Sequence, residues 1–377
     1  MGAGPKAVVL TGYAVNPVLV RGGAQRVATE LCDRLVELGW KVDVIECVAW
    51  CQSIDPGYTL AAGMAGHTAI VRGWRDAAAP TVLSGEDLHM LLAEVGLVLV
   101  MDRAVGRLDT PAHKVLLLSN LTYDNERRAA LHGDHEAVWV PSPHLAQQLE
   151  AVAGDGPNAV HVVPPALAQQ PCDAVAHAPL DTLGEQLMAN QVPRQRSLLF
   201  PHRADPGKGL IFALTVLRLL LAEDRWTLVA IEPGADEDAD VKAVIDNARR
   251  FAANLGIMDW VVWVPWLPQS EVSCLYKLGG VTLMPSTLDE GFGLVAVESL
   301  AQGVPVVALP SGNLRRLAAC FSSLHLAEGV TAVARTVAGV AGSAVPAAER
   351  EAVRRSYSVD AQRDAVVSAL RAVGIAV

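Results

Sequence analysis

One stretch, residues 283–310, constrains the fold of this chain more than any other. It reads LMPSTLDEGFGLVAVESLAQGVPVVALP. A short apolar run ends at Met284, a loop leads to Glu290, and apolar residues of helix length follow over 294–301 before a second apolar run at 306–309. The pattern predicts a strand, a loop, a helix and a second strand, which is the repeating unit of a parallel α/β sheet.

Glycines and carboxylates surround the start of this predicted helix. Gly291 and Gly293 stand at its entrance, Glu290 precedes them, and Glu298 lies inside the helix among apolar neighbours. A helix start with little side-chain bulk binds anions through its N–H groups and its dipole. A lone glutamate is a solvated residue about half the time, but a buried carboxylate needs a partner. Together these residues predict a site for a phosphate-bearing molecule with hydroxyl groups, such as a nucleotide sugar.

The composition describes a well-packed globular protein of 377 residues, which predicts two or three domains. Hydrophobic residues make up 51% of the chain, and no apolar run reaches transmembrane length. The first six residues lack the apolar core of a signal peptide, so we expect a cytoplasmic protein. The six cysteines have neither metal-binding nor disulfide-scaffold spacing, so we expect reduced thiols.

Strand and helix patterns alternate along the first half of the chain. A strand at 6–11 is followed by a helix at 24–38 and a strand at 41–46. Further strands are predicted at 97–101, 115–118, 137–140 and 160–163, and helices at 87–94 and 143–152. Such alternation predicts a parallel sheet with helices on both faces, whose binding loops follow the carboxyl ends of the strands. Asn120, in the polar loop 119–128, is a candidate binding residue at this edge.

A second alternating series follows a proline-containing linker at about 169–196. It comprises strands at 197–200, 227–231 and 260–264 and helices at 210–220, 241–253 and 270–278. Three helices, near 332–341, 347–355 and 360–373, finish the chain. Both halves therefore predict Rossmann-like domains, at 1–190 and 197–355, although a G-x-G-x-x-G fingerprint is absent.

Two cations and a second glycine pair lie near other predicted strand ends. Arg203 and Lys208 occupy a turn after the strand at 197–200, where they could clamp a diphosphate. Gly22 and Gly23 open the first helix. In isolation, cations in a turn are more often surface charges, and a glycine pair is more often a plain helix start. A position on the same sheet edge as Gly291 favours the phosphate role for the two cations.

These pieces resemble a known family, the retaining GT-B glycosyltransferases of the large sucrose-synthase and glycogen-synthase-like group (family 4-like). The matching residues are Gly22-Gly23-Ala24, Arg203, Lys208-Gly209, Pro285-Ser286, Glu290-Gly291-Phe292-Gly293-Leu294, Glu298, Gly303 and Pro305-Val306-Val307. The two glutamates seven residues apart are specific, whereas the first glycine pair is a weak signal. The resemblance implies an α/β fold of two Rossmann-like parallel-sheet domains facing each other across a cleft. It also implies a C-terminal helix, within 356–377, that could pack back on the first domain.

The resemblance further implies a role for each matched residue. Arg203 and Lys208 would neutralise the donor diphosphate, and Glu290 would contact hydroxyl groups of the donor sugar, so these three form the expected catalytic set. The expected substrate-binding residues are Gly22, Gly23, Gly291, Phe292, Gly293, Leu294 and Glu298, the last of which would accept hydrogen bonds from the nucleotide ribose. The implied reaction retains the sugar configuration and needs no metal or cofactor, with a UDP- or GDP-linked sugar as co-substrate.

The chain departs from the family pattern at three places. Segment 118–121 lacks the histidine that family members often carry near the donor sugar. Segment 231–234 reads Ile-Glu-Pro-Gly where the family usually has Gly-Asp-Gly, and segment 312–316 lacks a common glutamate. The first and third departures leave the donor-sugar contacts open.

Three other features carry less weight. Alternation along a predicted strand puts Trp260 and Trp266 on one face and Trp263 on the other. Core packing explains Trp260 and Trp263, whereas Trp266, at the carboxyl end of the strand, has roughly one chance in three of lining the nucleotide pocket. His132 and His135 lack a third ligand, so no metal site is predicted there. The acidic residues at 236–240 are interpreted as a solvated turn.

The net charge of the chain limits the kinds of molecule that it is expected to bind. The net charge of −10 disfavours nucleic acid and anionic membrane. Residues 1–196 hold 14 Lys and Arg against 21 Asp and Glu, a net charge of −7, and the remainder hold 16 against 19, a net charge of −3. We therefore expect the first half to bind a small soluble acceptor, with a cationic amino sugar or aminocyclitol as the hypothesis. The 24 arginines against 6 lysines suit a GC-rich bacterial genome, in which such enzymes serve natural-product (antibiotic) biosynthesis.

The leading prediction is a cytoplasmic, metal-independent, retaining glycosyltransferase that moves a sugar from a nucleoside-diphosphate sugar to this acceptor. Two alternatives stay open: a nucleotide-sugar epimerase of GT-B shape, and a catalytically silent nucleotide-sugar-binding protein. Slow hydrolysis of the donor without acceptor would favour the transferase over the silent binder. The sequence does not define an oligomeric state.

Overall fold

The computed structural model describes most of both predicted domains. The described residues are 5–11, 22–46, 69–74, 81–83, 85–102, 110–122, 124–153, 159–167, 185, 192–232, 239–267 and 269–377. Three predicted features lie wholly or largely outside them: the loop 12–21 before the first helix, the linker 169–196, and the acidic turn 236–240.

The chain divides into two compact units. Unit 1 comprises Met1–Ala166 and Asp360–Val377, and unit 2 comprises Leu167–Val359. This division falls earlier than the predicted domain limits at 190 and 197. Leu167 is already part of unit 2, because its N–H donates to the carbonyl of Tyr357 at 2.7 Å and its side chain is buried in the apolar cluster around helix 294–302.

Unit 1 is built on an eight-stranded sheet. Its strands are β1 (Lys6–Thr11), β2 (Lys41–Glu46), β3 (Ala69–Gly73), β4 (Thr81–Leu83), β5 (Leu97–Met101), β6 (His113–Leu117), β7 (Ala137–Val140) and β8 (Ala159–Val162). Six strands run parallel in the order β2-β1-β5-β6-β7-β8. β3 and β4 extend the β2 edge in antiparallel register. The continuous apolar sequences of β1 and β5 are buried on both faces, as expected for central parallel strands.

Helices cover this sheet. They are α1 (Gly23–Glu37), α2 (Gly85–Ala93), α3 (Asp124–His132), α4 (Pro143–Ala153) and α12 (Val359–Ala372). α1 buries Ala28, Leu31 and Leu35 at helical spacing against the sheet. α12 belongs to the same apolar cluster through Val366 and Leu370, so the end of the chain is part of the core of unit 1.

A polar network joins α1, the end of unit 1 and α12. The buried Arg26 donates to Glu30 Oε1 at 2.6 Å and to the carbonyl of Ala166 at 2.6 Å. Glu30 Oε2 accepts from the N–H of Ala166 at 2.8 Å and from Gln362 Nε2 at 3.1 Å. Gln362 Nε2 also contacts the carbonyl of Pro164 at 3.1 Å. These bonds hold the first and last segments of unit 1 at one point.

Unit 2 is built on a six-stranded sheet in which every pair is parallel. Its strands are β9 (Ser197–Phe200), β10 (Thr227–Ile231), β11 (Val261–Val264), β12 (Val281–Met284), β13 (Val306–Ala308) and β14 (Leu324–Leu326). Its helices are α5 (Leu210–Leu220), α6 (Ala239–Asn254), α7 (Gln269–Leu278), α8 (Leu294–Gln302), α9 (Leu314–Cys320), α10 (Val330–Val340) and α11 (Ala347–Ser356).

The strand order of unit 2 is β11-β10-β9-β12-β13-β14. The chain therefore builds outward from β9 in one direction with β10 and β11, and in the other with β12 to β14. The reversal occurs between β9 and β12. In open α/β sheets, ligands bind beyond the carboxyl ends of the strands at such a switch point. Two loops follow these ends: residues 201–209 after β9 and residues 285–293 after β12.

The structure confirms the predicted strand–helix alternation and corrects several details. β3, β4, β14 and α9 were not predicted, because three- to seven-residue elements give too short a periodic signal. The polar segment 119–128 is not all loop, since α3 begins at Asp124. β11 ends at Val264, so Trp260 and Trp266 flank the strand rather than belong to it. The expectation of six reduced cysteines is wrong for Cys274, which is disulfide-bonded; Cys32 and Cys320 are free thiols.

Candidate functional site

The centre of the candidate site is an ion pair between the two loops at the switch point. Lys208 Nζ donates to Glu290 Oε1 at 2.6 Å, and both side chains are largely buried. Lys208 lies in a short 3₁₀ turn, Pro206–Lys208, that follows β9, and Glu290 lies in the loop after β12. Residues 82 positions apart in sequence are thus brought together, as their shared place at the carboxyl ends of neighbouring strands predicts.

The two loops fit each other so closely that one position requires glycine. Gly209 has a φ of +83°, and a Cβ atom there would lie 2.2 Å from the carbonyl oxygen of Pro285. The loops are also hydrogen-bonded, because the N–H of Thr287 donates to the carbonyl of Gly207 at 2.9 Å. Any larger residue at 209 would push the Lys208 turn away from the Glu290 loop.

A second set of hydrogen bonds fixes the backbone around Glu290. The N–H of Asn313 donates to the carbonyl of Glu290 at 2.8 Å, and its buried Nδ2 donates to the carbonyl of Phe292 at 2.7 Å. Ser311 Oγ accepts from the N–H of Glu290 at 3.3 Å and also bonds the carbonyl of Leu288. Segment 311–313, which replaces the glutamate-bearing turn of the resembling family, therefore serves here to hold the 288–292 loop.

The electrostatics keep Glu290 ionised. Burial raises the pKa of the Glu290 carboxyl, but the positive charge and the hydrogen bond of Lys208 outweigh burial. Smaller contributions in the same direction come from His202 and Ser286. The pKa of Glu290 is therefore held below its usual value, and a carboxylate faces Lys208 at neutral pH.

His202 was not singled out from the sequence, yet it lies beneath this pair. Its Nε2 is 3.2 Å from the carbonyl of Leu283, and its ring meets Phe200 edge-on with centroids 4.8 Å apart. Burial, followed by the charge of Lys208, lowers the pKa of His202 to about 4, although Glu290 and the Leu283 carbonyl oppose the shift. A neutral imidazole therefore joins the end of β9 to the end of β12.

The predicted helix entrance after Glu290 is present. α8 begins immediately after Gly293, which has a φ of +92° and makes no side-chain capping bond. Glycine is favoured here by the backbone conformation, and a Cβ at this position would also lie 2.9 Å from Leu314 Cδ2, which would have to shift. The first N–H groups of a helix have no partner within the helix, and the dipole adds positive potential there. Gly291, Phe292 and Leu294 line this entrance, as the sequence predicts.

Glu298 is half-buried one turn into α8. Its Oε2 accepts a hydrogen bond at 3.1 Å from the hydroxyl of Tyr276, which is on α7 and has no exposed surface. The sequence predicts that the Glu298 carboxylate needs a partner, and the structure shows one. That partner, Tyr276, was not predicted from the sequence. Tyr276 gives no clear signal in sequence, because it lies in an amphipathic helix where an aromatic residue is expected to pack in the core.

Two other predicted residues of unit 2 lie near the same sheet edge. Arg203 is in the turn after β9; its guanidinium is 3.6 Å from Asp205 Oδ1, and its side chain is about one-third exposed (36%). Trp266 is half-buried, two residues beyond the carboxyl end of β11. The structure therefore joins Lys208 directly to Glu290 but joins neither Arg203 nor Trp266 to that pair by a described contact.

The predicted residues of unit 1 have a different setting. Gly22 precedes α1 in extended backbone (φ −160°), and Gly23 is the first helical residue. Asn120 Oδ1 accepts from the N–H of Thr122 at 2.9 Å, which is the pattern of a polar turn. Beside it, a residue missed from the sequence, Asp102, binds the N–H and hydroxyl of Ser119 at 2.6 and 2.7 Å.

Asp102 is the one non-glycine residue with positive φ (52°) among the described residues, and it follows β5 directly. Aspartate tolerates this conformation better than most residues. Its bonds to Ser119 fix the segment that lacks the family's histidine. No group of three or more His, Cys, Asp or Glu in the described part of the chain is placed to hold a metal ion.

Comparisons with known proteins agree with this geometry. Residues 189–337 match the family model of the group 1 glycosyl transferases. A D-inositol 3-phosphate glycosyltransferase of Streptosporangium roseum is 32% identical over 235 residues, which cover 58% of this chain and 51% of that protein. The chain thus spans about half the length of the curated relatives it matches.

Solved structures share the fold over nearly the whole chain. Sucrose-phosphate synthase from Thermosynechococcus elongatus has a TM-score of 0.70 at 15% identity, with 98% of this chain and 99% of that chain covered. HepE of Anabaena, solved in complex with UDP and glucose, has a TM-score of 0.63 at 16% identity, with 98% and 100% covered. The fold is therefore that of the GT-B proteins. Residues 189–337 are therefore similar to the group 1 glycosyl transferases, and the chain as a whole has the GT-B fold.

Among the described helices, none combines the length and the apolar character needed to cross a bilayer.

Proposed function

We propose that this protein is a retaining, metal-independent glycosyltransferase that uses a nucleoside-diphosphate sugar, UDP- or GDP-linked, as donor. The observation that carries the proposal is the pair of Lys208 and Glu290, 2.6 Å apart, at the switch point of unit 2. The pair adjoins the entrance of α8, where a glycine with positive φ leaves the backbone open to close approach. This combination provides positive charge for a diphosphate and a carboxylate for sugar hydroxyls.

Lys208 can bind Glu290 and a diphosphate oxygen at the same time. An ammonium group has three N–H donors, and the bond to Glu290 engages one of them. The ion pair orients the ammonium, so a diphosphate oxygen would meet a preorganised cation. Preorganised donors aimed at developing negative charge are the largest single catalytic device in many enzymes. Arg203, in the same turn, would add a planar fork for a second phosphate oxygen.

The same groups support a retaining reaction without a metal. The bond between the anomeric carbon and the diphosphate would break while the acceptor oxygen attacks from the same face. The acceptor's proton would pass to the departing phosphate oxygen. Lys208, Arg203 and the N–H groups at the start of α8 would stabilise the negative charge of the leaving group. Glu290 would hold sugar hydroxyls, and Glu298 would accept from the ribose.

For the acceptor, we propose a small soluble polyol or cyclitol bound by unit 1, in a bacterial natural-product pathway. The net charge of −7 over residues 1–196 favours a cationic compound, such as an amino sugar or aminocyclitol. The relative named above is a D-inositol 3-phosphate glycosyltransferase, and the compound in that name is also a cyclitol but carries a phosphate. Asp102 and Asn120, beyond the carboxyl ends of β5 and β6, are the first residues to test for acceptor contact.

The donor part of the proposal is tested by thermal-shift measurements with uridine, guanosine, adenosine and thymidine diphosphates. A bound ligand raises the melting temperature by mass action, and a concentration of 100 times Kd stabilises by about 2.7 kcal/mol. We expect one base to give a clear shift, and the matching nucleotide sugar to be hydrolysed slowly without acceptor. A protein that shifts with no diphosphate contradicts the proposed function.

The chemistry is tested on the nucleotide sugar that binds. An acceptor panel should contain an aminocyclitol, inositol and inositol 3-phosphate. NMR of the product should show the anomeric configuration of the donor, and chelation with EDTA should leave turnover unchanged. Inversion of the anomeric configuration would contradict the retaining part of the proposal. Loss of activity with EDTA would contradict the metal-independent part. Exclusive use of inositol 3-phosphate would contradict only the proposal of a cationic acceptor.

A further inference from the structure

Tyr276 belongs to none of the sequence motifs of the site, but its side chain is fully buried and its hydroxyl is hydrogen-bonded. It has no exposed surface, and its ring packs in the apolar cluster beneath the sheet with Leu199, Val229 and Val262. These three residues come from β9, β10 and β11, which are neighbours on one side of the sheet. The ring is therefore part of the core of unit 2.

The hydroxyl of Tyr276 leaves this cluster and reaches α8. It lies 3.1 Å from Glu298 Oε2 and 3.5 Å from the carbonyl oxygen of Val295. A phenol has one proton to donate, and a bond to a charged acceptor is the stronger one. The shorter distance agrees with donation to the carboxylate. Tyr276 therefore fixes one oxygen of Glu298 and, with it, the plane of the carboxylate.

From this contact we propose that Tyr276 is a positioning residue for recognition of the nucleotide ribose. The inference rests on the proposed function, in which Glu298 accepts hydrogen bonds from the ribose hydroxyls. Recognition of a vicinal diol by one carboxylate requires both oxygens to lie close to the plane of the two O–H groups, since hydrogen bonds weaken steeply off axis. A glutamate side chain with three rotatable bonds loses entropy on being held there. A hydrogen bond from a buried tyrosine orders the side chain before the ligand binds, so less conformational entropy is lost on binding.

The competing explanation is that Tyr276 only ties α7 to α8. A structural tie would affect every ligand of the site equally. A positioning role predicts instead that the effect depends on the ribose hydroxyls. The pair of ligands that separates the two roles is a nucleoside diphosphate and its 2′,3′-dideoxy form, with the base that gives the thermal shift.

The test is Tyr276→Phe, which removes the hydroxyl and keeps the ring. Calorimetric titration should show nucleoside diphosphate binding weakened roughly five- to tenfold, the effect expected for loss of one typical hydrogen bond. The dideoxy ligand should bind the wild-type and the variant equally. In Glu298→Ala, which leaves the Tyr276 hydroxyl no side-chain acceptor at this position, the further change Tyr276→Phe should have no additional effect. Tyr357→Phe, which removes another half-buried hydroxyl of unit 2, is the matched control and should bind both ligands as wild-type does.

Each contrary outcome has a separate meaning. Equal weakening of both ligands would show a structural tie and overturn the inference. Unchanged binding of the ribose form would overturn it as well. If Tyr276→Phe does not fold, Tyr276→Met, which fills the apolar cluster without an O–H donor, should show the same selective weakening; equal weakening of both ligands there also overturns the inference. If wild-type binds no diphosphate at all, the proposed function falls first, and the role of Tyr276 falls with it.

Discussion

Two helix entrances in this protein carry glycines, and they are built differently. At α8, Gly293 has a φ of +92°, which L-residues rarely adopt, and the loop before it is fixed by Asn313 and by Glu290 paired to Lys208. At α1, Gly22 is in extended backbone that any residue adopts, and a Cβ there would meet none of the described atoms within 4 Å. The fold itself explains the first glycine. It does not explain the second, so Gly22 is the one whose small size is open to a role in ligand approach.

The largest effect should come from breaking the charged pair at the α8 entrance. Under the proposed function, Lys208→Ala removes a preorganised cation that would face the leaving diphosphate, so turnover should fall by roughly 10²- to 10³-fold, the range seen when one such donor is lost. Steady-state kinetics with the identified donor measure this. Lys242→Ala, an exposed lysine on α6 of the same unit, is the control. Unchanged turnover in Lys208→Ala would remove this residue from the catalytic set.

The second largest effect concerns His202, which lies next to the Lys208–Glu290 pair near the α8 entrance. Its pKa is lowered to about 4 from an ordinary value of 6.5, so between these values the unfolded chain binds a proton that the folded protein does not. The free energy of unfolding should therefore fall as the pH decreases from about 6.5 to 4, by up to roughly 3 kcal/mol from this group. Above pH 6.5 the residue has no such effect.

Denaturant unfolding as a function of pH measures the contribution of His202. His202→Gln cannot titrate, so its stability should vary less between pH 6.5 and 4 than that of the wild-type. His89→Gln, at an exposed position on α2, should keep the wild-type slope. Equal slopes for wild-type and His202→Gln would show that this imidazole does not titrate as the structure indicates. Glu290 adds a separate loss at lower pH, because its pKa is held below its usual value.

The smallest effects test the glycines themselves. Gly293→Ala should destabilise unit 2 by about 1–2 kcal/mol, because an L-residue is strained at positive φ. Gly22→Ala should change stability by no more than about 0.5 kcal/mol, since its backbone and space accept a methyl group. Thermal unfolding of the two variants measures the difference. A higher KM for the donor in Gly22→Ala, at unchanged stability, would support a role of Gly22 in ligand approach. A large loss of stability in Gly22→Ala would contradict the proposed difference between Gly22 and Gly293.

Much of the fold follows from the sequence because its strands are long apolar runs separated by helices of regular period. The strands at 41–46, 97–101 and 281–284 were predicted with the residues the structure gives them. The antiparallel pair β3 and β4 was not, since its pairing is a tertiary choice that no local pattern reveals. The division at Ala166 was also missed, because it depends on Leu167 packing with residues nearly 200 positions away.

The candidate site shows the same limit. Lys208 and Glu290 could be paired in advance because both follow parallel strands, and such strands end at one edge. His202 and Tyr276 could not, because their importance comes from burial and from a partner on another element. Asn313 was noticed only as a departure from a family pattern, whereas in the structure it holds the carbonyl of Phe292. Sequence reasoning finds charged residues at strand ends more readily than the neutral residues that orient them.

The network of Arg26, Glu30 and Gln362 has a consequence for how such chains can change. Unit 2 is an insertion between two segments of unit 1, and its own first and last residues are neighbours, since Leu167 is bonded to Tyr357. A segment whose ends meet can be exchanged for another of different length without altering the host around it. Unit 2 is therefore encoded by one continuous stretch of the gene, and its exchange would need only two junctions. The host segments, joined to each other by this network, would keep their own sequence.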